Sequence, residues 1–361
     1  MSPKPAGATF DRSDYLIIGA GVVSVILAAL TRYLAANALV AFICSALAVA
    51  VLASLVGRAV EQLGERFGPG ATGVLQSALG NLPELFISLF ALRAGLIEVV
   101  QAAIIGSILA NLLLVMGLCF LVGGLKHGTQ QLGSARARAI TVLMVLSVAA
   151  LVLPSLASYV HTPAASHENT LSLIASVILL ALFVLTLPAS LKKGSTDLSA
   201  GGNETTEARW PLLWAVILLA LAAGGAAFVS DWFVHALEPS MKALHISDAF
   251  AGLVIIAIAG NAVENVVGIQ LASKNRSRFA YEVVVNSPLQ IALVLAPLIV
   301  ILSQVFGFAS FTLVFSPMLV VSVAIAVIMS AFITFDGESN WMEGAALIAV
   351  YAIIAAAFWW G

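Results

Sequence analysis

Residues 77–91 read SALGNLPELFISLFA, an apolar stretch of membrane-spanning character broken near its start by Gly80, Asn81, Pro83 and Glu84. A second copy stands 180 residues further on, where Gly260-Asn261-Ala262-Val263-Glu264 lines up under Gly80-Asn81-Leu82-Pro83-Glu84. The same offset, without a gap, carries Ser107 onto Ser287 and Leu109 onto Leu289. A helix breaker and an ionisable carboxylate in one half-turn of an apolar segment would be a defect if it occurred once. Duplicated at matching positions, it points to a site.

The surrounding composition is that of an integral membrane protein. Of 361 residues, 61% are hydrophobic and 9% charged, against about 25% charged in an average soluble domain, and the mean hydropathy is +1.08. With so few charges, the formal net charge of −2 offers nothing for nucleic acid to bind, and the informative quantity is how Lys and Arg divide between loops. Cys44 and Cys119 lie in apolar runs without metal-ligand spacing and read as small core residues.

Apolar runs of about 18 residues or more fall near 15–34, 37–57, 70–94, 97–124, 137–158, 169–191, 210–234, 248–273, 280–304, 309–333 and 341–360. The expected fold is therefore an all-α polytopic membrane protein with eleven transmembrane helices. The longest polar connection, KKGSTDLSAGGNETTEAR at 192–209, reads as a solvated linker. Lys4 and Arg12 ahead of the first apolar run, with Ala36-Asn37-Ala38 behind it, imitate a signal peptide; the reading taken is an uncleaved first helix. On alternate sides of an eleven-helix chain, 13 of the 16 Lys and Arg fall on the amino-terminal side, and Arg32, Arg93 and Lys242 on the other. The positive-inside rule then makes the amino terminus and the linker cytoplasmic, and the odd helix count sends the carboxyl terminus outside a cytoplasmic membrane.

Five helices separate the third segment from the eighth, so the two motif copies cross the membrane in opposite directions. The expected organisation is a leading segment over 1–36, a first repeat over 37–191, the linker over 192–209 and a second, inverted repeat over 210–361. In secondary transporters built this way the substrate site lies where the repeats meet, near the midplane.

A carboxylate at the centre of a bilayer helix costs roughly 2.5–3.5 kcal/mol on insertion scales, so it normally faces a cavity, a partner or an ion. Glu84 and Glu264, related by the repeat, would converge on one point and supply the charge for one divalent cation, with oxygen the ligand such a hard ion prefers. Without metal, two buried like charges repel, and protons take the metal's place. The same pair is the proton-coupling site. Gly80, Pro83 and Gly260 are where a helix can unwind and free backbone carbonyls. Asn81 and Asn261, three residues before each glutamate, brace the carboxylate or reach the ion, directly or through water. The alternatives are a helix-stabilising hydrogen bond for each glutamate, amide bonding between helices for each asparagine, and packing for each glycine. In the following helices Gln101, Ser107 and Asn111, and Asn286, Ser287 and Gln290, are candidates for gating or for supporting the ligands, with helix-to-helix bonding as the alternative.

GNLPELFISLFALRAGLIEVVQAAIIGSILANLLLVMG at 80–117, and GNAVENVVGIQLASKNR with NSPLQIALVLAP at 260–276 and 286–297, resemble the two repeats of the calcium/proton exchangers, within the calcium/cation antiporter superfamily. The resemblance implies an eleven-helix antiporter in which the glutamates at 84 and 264 bind Ca²⁺ and exchange protons, and in which Gln101 and Gln290 sit on helices that move. It implies Ca²⁺ as transported ion, H⁺ as counter-ion, the bilayer as surroundings and no tightly bound cofactor. A homo-oligomer is compatible with it and not specified. Asn265 stands where the family usually has His, and Asn286-Ser287-Pro288 where it usually has Gly-Ser-Ser; Pro83 resembles the sodium/calcium branch.

The rival within the fold is a Na⁺-coupled exchanger, Na⁺/Ca²⁺ or Na⁺/H⁺. A passive channel would share the composition and differ in lacking countertransport. An enzyme is not expected: the five histidines, His127, His161, His167, His235 and His245, lie in loops or near helix ends, with no HExxH.

Overall fold

A computed structural model describes residues 10–34, 37–67, 75–76, 79–193 and 209–360; the side chains of 134–140, 188–193 and 262–264 lie outside that description, as does most of the 192–209 linker. Among the described residues the regular secondary structure is helical apart from a two-residue antiparallel bridge, Gln130–Gln131 with Glu338–Ser339. Among the described residues, eight helices are long and apolar enough to cross a membrane, and the bent pair Asp248–Gly260 and Asn265–Ser273, which meet at 60°, makes a ninth when counted as one span. The shorter apolar helix Pro317–Ile333 follows. The chain is a polytopic membrane protein. Of the third expected segment, 70–94, residues 75–76 and 79–94 are described, and the helix among them is Leu82–Arg93.

Burial sorts these helices. The apolar window of Arg12–Tyr33 is 17% buried, with Leu16, Val22, Val23 and Ile26 exposed, whereas that of Ile97–His127 is 83% buried. An apolar helix with an apolar exposed face suits contact with lipid, and one buried all round belongs in the centre. The first and last helices begin alike. Asp11 accepts from the backbone N–H of Ser13 and Asp14 while Asp14 accepts from the Asp11 N–H, and Asn340 and Glu343 make the same reciprocal cap.

The chain divides into two compact units, Met1–Ile87 with Val184–Leu237, and Ser88–Phe183 with Glu238–Gly361. In the first, the ends of Arg12–Tyr33 and Ala38–Phe67 are pinned to the chain that follows the linker. Asp14, 1% exposed, pairs with Arg58 at 3.0 Å and accepts from the Trp210 indole N–H at 3.0 Å, while Gln62 Oε1 accepts from the backbone N–H of Arg209 and Trp210. Arg209 also pairs with Asp11. Bonds from the Ser13 hydroxyl and Arg209 hold the Asp11 carboxyl well below the usual carboxylate range.

In the second unit, Ile97–Leu109 runs through a π-helical stretch, Ala110–Val115, into Met116–His127. Ser277–Gln290 runs through Ile291–Leu295, also π-helical, into Ala296–Val305. These two long helices are antiparallel: His127, ending the first, bonds the carbonyl of Ser273, just ahead of the second. The tenth expected segment, 309–333, is corrected at its start, because its helix begins only at Pro317. Ser316 precedes a proline and is extended, at φ −60° and ψ 150°, and Gly307 takes φ +64°, which only glycine adopts at little cost. Between them runs an extended strap with Phe311, Leu313 and Phe315 fully buried.

The strap's backbone polar groups are taken up by side chains. Ser172 Oγ accepts from Leu313 N–H, Ser155 Oγ donates to Leu313 O and accepts from Phe315 N–H, Tyr159 OH donates to Phe315 O, and Gln101 Nε2 donates to Val314 O. Irregular backbone is tolerated at such depth because its groups are satisfied inside the protein.

Candidate functional site in the broken helices

Both motif copies sit at a helix break. At Gly80 the backbone N–H still bonds Gln76 O, at 2.8 Å, and a Cβ there would lie 2.5 Å from that same oxygen. The next helix opens as Leu82-Pro83-Glu84. Proline is well tolerated in a first turn, where its missing N–H would have had no partner, so Pro83 marks a start and not a kink. In the second copy Ala257–Gly260 ends at Asn261, whose φ −93° and ψ 22° are non-helical, and Ala262–Ser273 begins after it. Each glutamate is thus the third residue of a helix, where the positive end of the helix dipole favours a negative charge. Glu84 is 6% exposed and Asn81 8%; the Glu264 side chain lies outside the described residues.

Asn261, fully buried, is the hub of a polar knot in the second unit. Its Nδ2 donates to Ser107 Oγ at 3.0 Å and to Ala257 O at 2.9 Å, and its Oδ1 accepts from Asn111 Nδ2 at 2.8 Å and from Ser287 Oγ at 3.0 Å. Both donors and both lone pairs of this amide are used. Asn111 Nδ2 also approaches Ser107 O at 2.9 Å and Ser287 Oγ at 3.2 Å. Those acceptors fix which side of the Asn111 amide carries nitrogen. They leave Asn111 Oδ1, on a residue with 0% exposure, with no hydrogen-bond partner. Asn265 Oδ1 and Asn81 Nδ2 are likewise buried without one.

Close backbone packing brings the knot together. A Cβ on Gly106 would fall 2.4 Å from Leu253 Cα, and one on Gly252 would fall 2.3 Å from Val99 O, so Ile97–Leu109 crosses Ala251–Ile256 in backbone contact. This crossing delivers Ser107 to Asn261, and no spacing rule in the sequence announced it.

Of the candidates read from the sequence, Ser107, Asn111, Asn261 and Ser287 come together. Gln101 lies away from the knot, on the strap. Asn286 and Gln290 are half-buried beside Pro288, directly ahead of the π-helical turn. Sequence reading missed that turn and its counterpart after Ser107; with the helices aligned at an offset of 180, Ala110–Val115 and Ile291–Leu295 nearly superpose. Such π-helical turns are rare and tend to mark functional positions. No group of three or more His, Cys, Asp or Glu gathers as a metal cluster among the described residues.

Long apolar helices around a buried amide and hydroxyl knot, with two motif helices broken beside a carboxylate, define a polytopic membrane protein of the exchanger fold. The family model of the sodium/calcium exchanger protein matches residues 37–192 and 214–360. The chain is 38% identical over 353 residues to a Ca²⁺/H⁺ antiporter, ChaA, of Bacillus subtilis strain 168, covering 96% of this chain and 99% of that protein. It is 35% identical over 336 residues to a Ca²⁺/H⁺ antiporter of Synechocystis, covering 88% of this chain and 90% of the other. Among solved structures, that of native YfkE superposes with a TM-score of 0.81 at 35% identity, covering 95% of this chain and 99% of that one. The protein belongs to the sodium/calcium exchanger family, and the resemblance to calcium/proton exchangers read from the paired motifs is borne out.

Proposed function

We propose that this protein exchanges Ca²⁺, or a similar divalent cation, for H⁺ by alternating access, with Glu84 and Glu264 as the shared metal and proton site. The observation that carries the reading is the bare carbonyl oxygen of Asn111, fully buried inside a network that satisfies every other amide group of Asn111 and Asn261. A buried acceptor without a donor is costly and is accounted for by a cation it meets during transport. The names of the relatives support the choice of ions.

In this reading eleven helices form a leading segment and two inverted five-helix repeats, with the amino terminus and linker cytoplasmic and the carboxyl terminus outside. Glu84 and Glu264 bind the ion with charge and release it on taking protons. Asn111 Oδ1 adds a neutral ligand, Asn81 reaches the same ion, and Asn261 holds Asn111, Ser107 and Ser287 in place. No resident cofactor is needed.

The test is Ca²⁺ uptake into inside-out vesicles energised by an imposed pH gradient. We expect uptake without Na⁺, reduced at least about 100-fold in Glu84→Gln and in Glu264→Gln, the loss anticipated for a residue the ion and proton share. Uptake that requires a Na⁺ gradient would instead assign the Na⁺-coupled reading, and full activity in either variant would remove the shared site.

A further inference from the structure

At the offset of 180 that relates the motifs, Gln101 lies over Tyr281, and each is the fifth residue of its helix, Ile97–Leu109 and Ser277–Gln290. Both side chains do the same thing. Gln101 Nε2 donates to Val314 O at 2.7 Å in the strap leading into Pro317–Ile333, and Tyr281 OH meets Thr141 Oγ1 at 3.2 Å in Ser134–Tyr159. Each therefore leaves its own repeat and binds the fourth helix, or its approach, in the other.

Because the two central helices are antiparallel, the ties lie at opposite ends of the pair. The same two outer helices serve both. Ser134–Tyr159 offers Thr141 at the Tyr281 end and holds the strap through Ser155 and Tyr159 at the Gln101 end. Pro317–Ile333 leaves the strap at the Gln101 end, and Thr334, just past its other end, stands 3.4 Å from Thr141 at the Tyr281 end. Six residues beyond each tie comes a serine of the knot, Ser107 or Ser287, and then the π-helical turn.

A helix clamped by a polar tie on one side of a wide turn has its rotation and register set on that side. We propose that Gln101 and Tyr281 are equivalent positioning residues, which anchor the two central helices to the outer pair at opposite ends and so set the geometry of the Ser107, Asn111, Asn261 and Ser287 knot. Neither touches the knot. The consequence for transport rests on the exchange reading above, whereas the anchoring itself does not.

Two measurements on Gln101→Leu and Tyr281→Phe, in the full-length protein, separate the two. The first needs no cargo: amide hydrogen exchange in detergent should speed up at least about threefold in the π-helical turn of the altered helix, 110–115 for Gln101→Leu and 291–295 for Tyr281→Phe, with the helix 341–358 unchanged. The second uses vesicles: the KM for Ca²⁺ should rise about three- to tenfold with Vmax within about twofold, because a misplaced knot binds worse while the number of active molecules stays the same. Thr141→Val should reproduce Tyr281→Phe, and the double variant should be no worse than either single one. Unchanged exchange at the turns, or a fall in Vmax at constant KM, would overturn the proposal. Should the parent protein fail to exchange Ca²⁺ for H⁺, the functional reading falls and the hydrogen-exchange result alone decides the anchoring.

Discussion

The two central helices, Ile97–His127 and Ser277–Val305, are copies that have diverged at the positions where they meet. Ser107 and Ser287 still match, as do the π-helical turns, but Gly106 stands over Asn286, Ala110 over Gln290 and Asn111 over Ile291. The first copy gave its crossing point to a glycine and its amide to the knot, while the second kept its amides half-buried and put an isoleucine, 1% exposed, where the first has Asn111. A duplicated buried amide at 291 would be left to satisfy its own hydrogen bonds. Symmetry in the backbone thus coexists with division of labour among side chains.

The comparison breaks most severely at Gly106. Gly106→Val sets methyl groups against the backbone of Leu253, already 2.4 Å from a bare Cβ, and overpacking that only backbone movement can relieve costs about 3 kcal/mol or more. Detergent-solubilised protein should then lose most of its folded fraction on size-exclusion chromatography, whereas Asn286→Val at the matching place, half-buried and already bearing a side chain of similar size, should not. Asn261→Ala is the next in size. It leaves Ser107 Oγ without its amide donor and the Ser287 hydroxyl without its acceptor, while Asn111 Nδ2 keeps Ser107 O and Ser287 Oγ, at about 1–3 kcal/mol in thermal unfolding, with Ca²⁺ uptake lost alongside. Smallest is Gln290→Leu. A half-buried amide outside the knot should change stability by less than about 0.5 kcal/mol, while Asn111→Leu costs about 1–2 kcal/mol; equal losses in the two would mean that Gln290 carries as much of the packing as Asn111 does.

Much of this is legible in the sequence. Composition and apolar run length identify a polytopic membrane protein, because a bilayer imposes length and hydropathy on each crossing. The duplicated Gly-Asn-x-x-Glu marks the breaks, because glycine and a first-turn proline have few other reasons to stand beside a carboxylate there. Hydropathy could not separate an apolar helix from an apolar strap, so the segment expected at 309–333 began too early: Phe311, Leu313 and Phe315 read as membrane residues in either conformation. Nor does periodicity reveal Tyr281, which only the repeat offset places under Gln101.

What the sequence determined by itself is therefore local or periodic: a membrane protein, a duplicated motif, and the residues Ser107, Asn111, Asn261 and Ser287 as polar exceptions in apolar helices. Tertiary structure decided which of those exceptions meet. Asn111 and Asn261 are 150 residues apart in the chain and 2.8 Å apart at their amides, a meeting that depends on Gly106 and Gly252 letting two backbones touch. Hydrogen-bonding capacity is written in each residue, but who satisfies whom, and which carbonyl is left bare, follows only from packing.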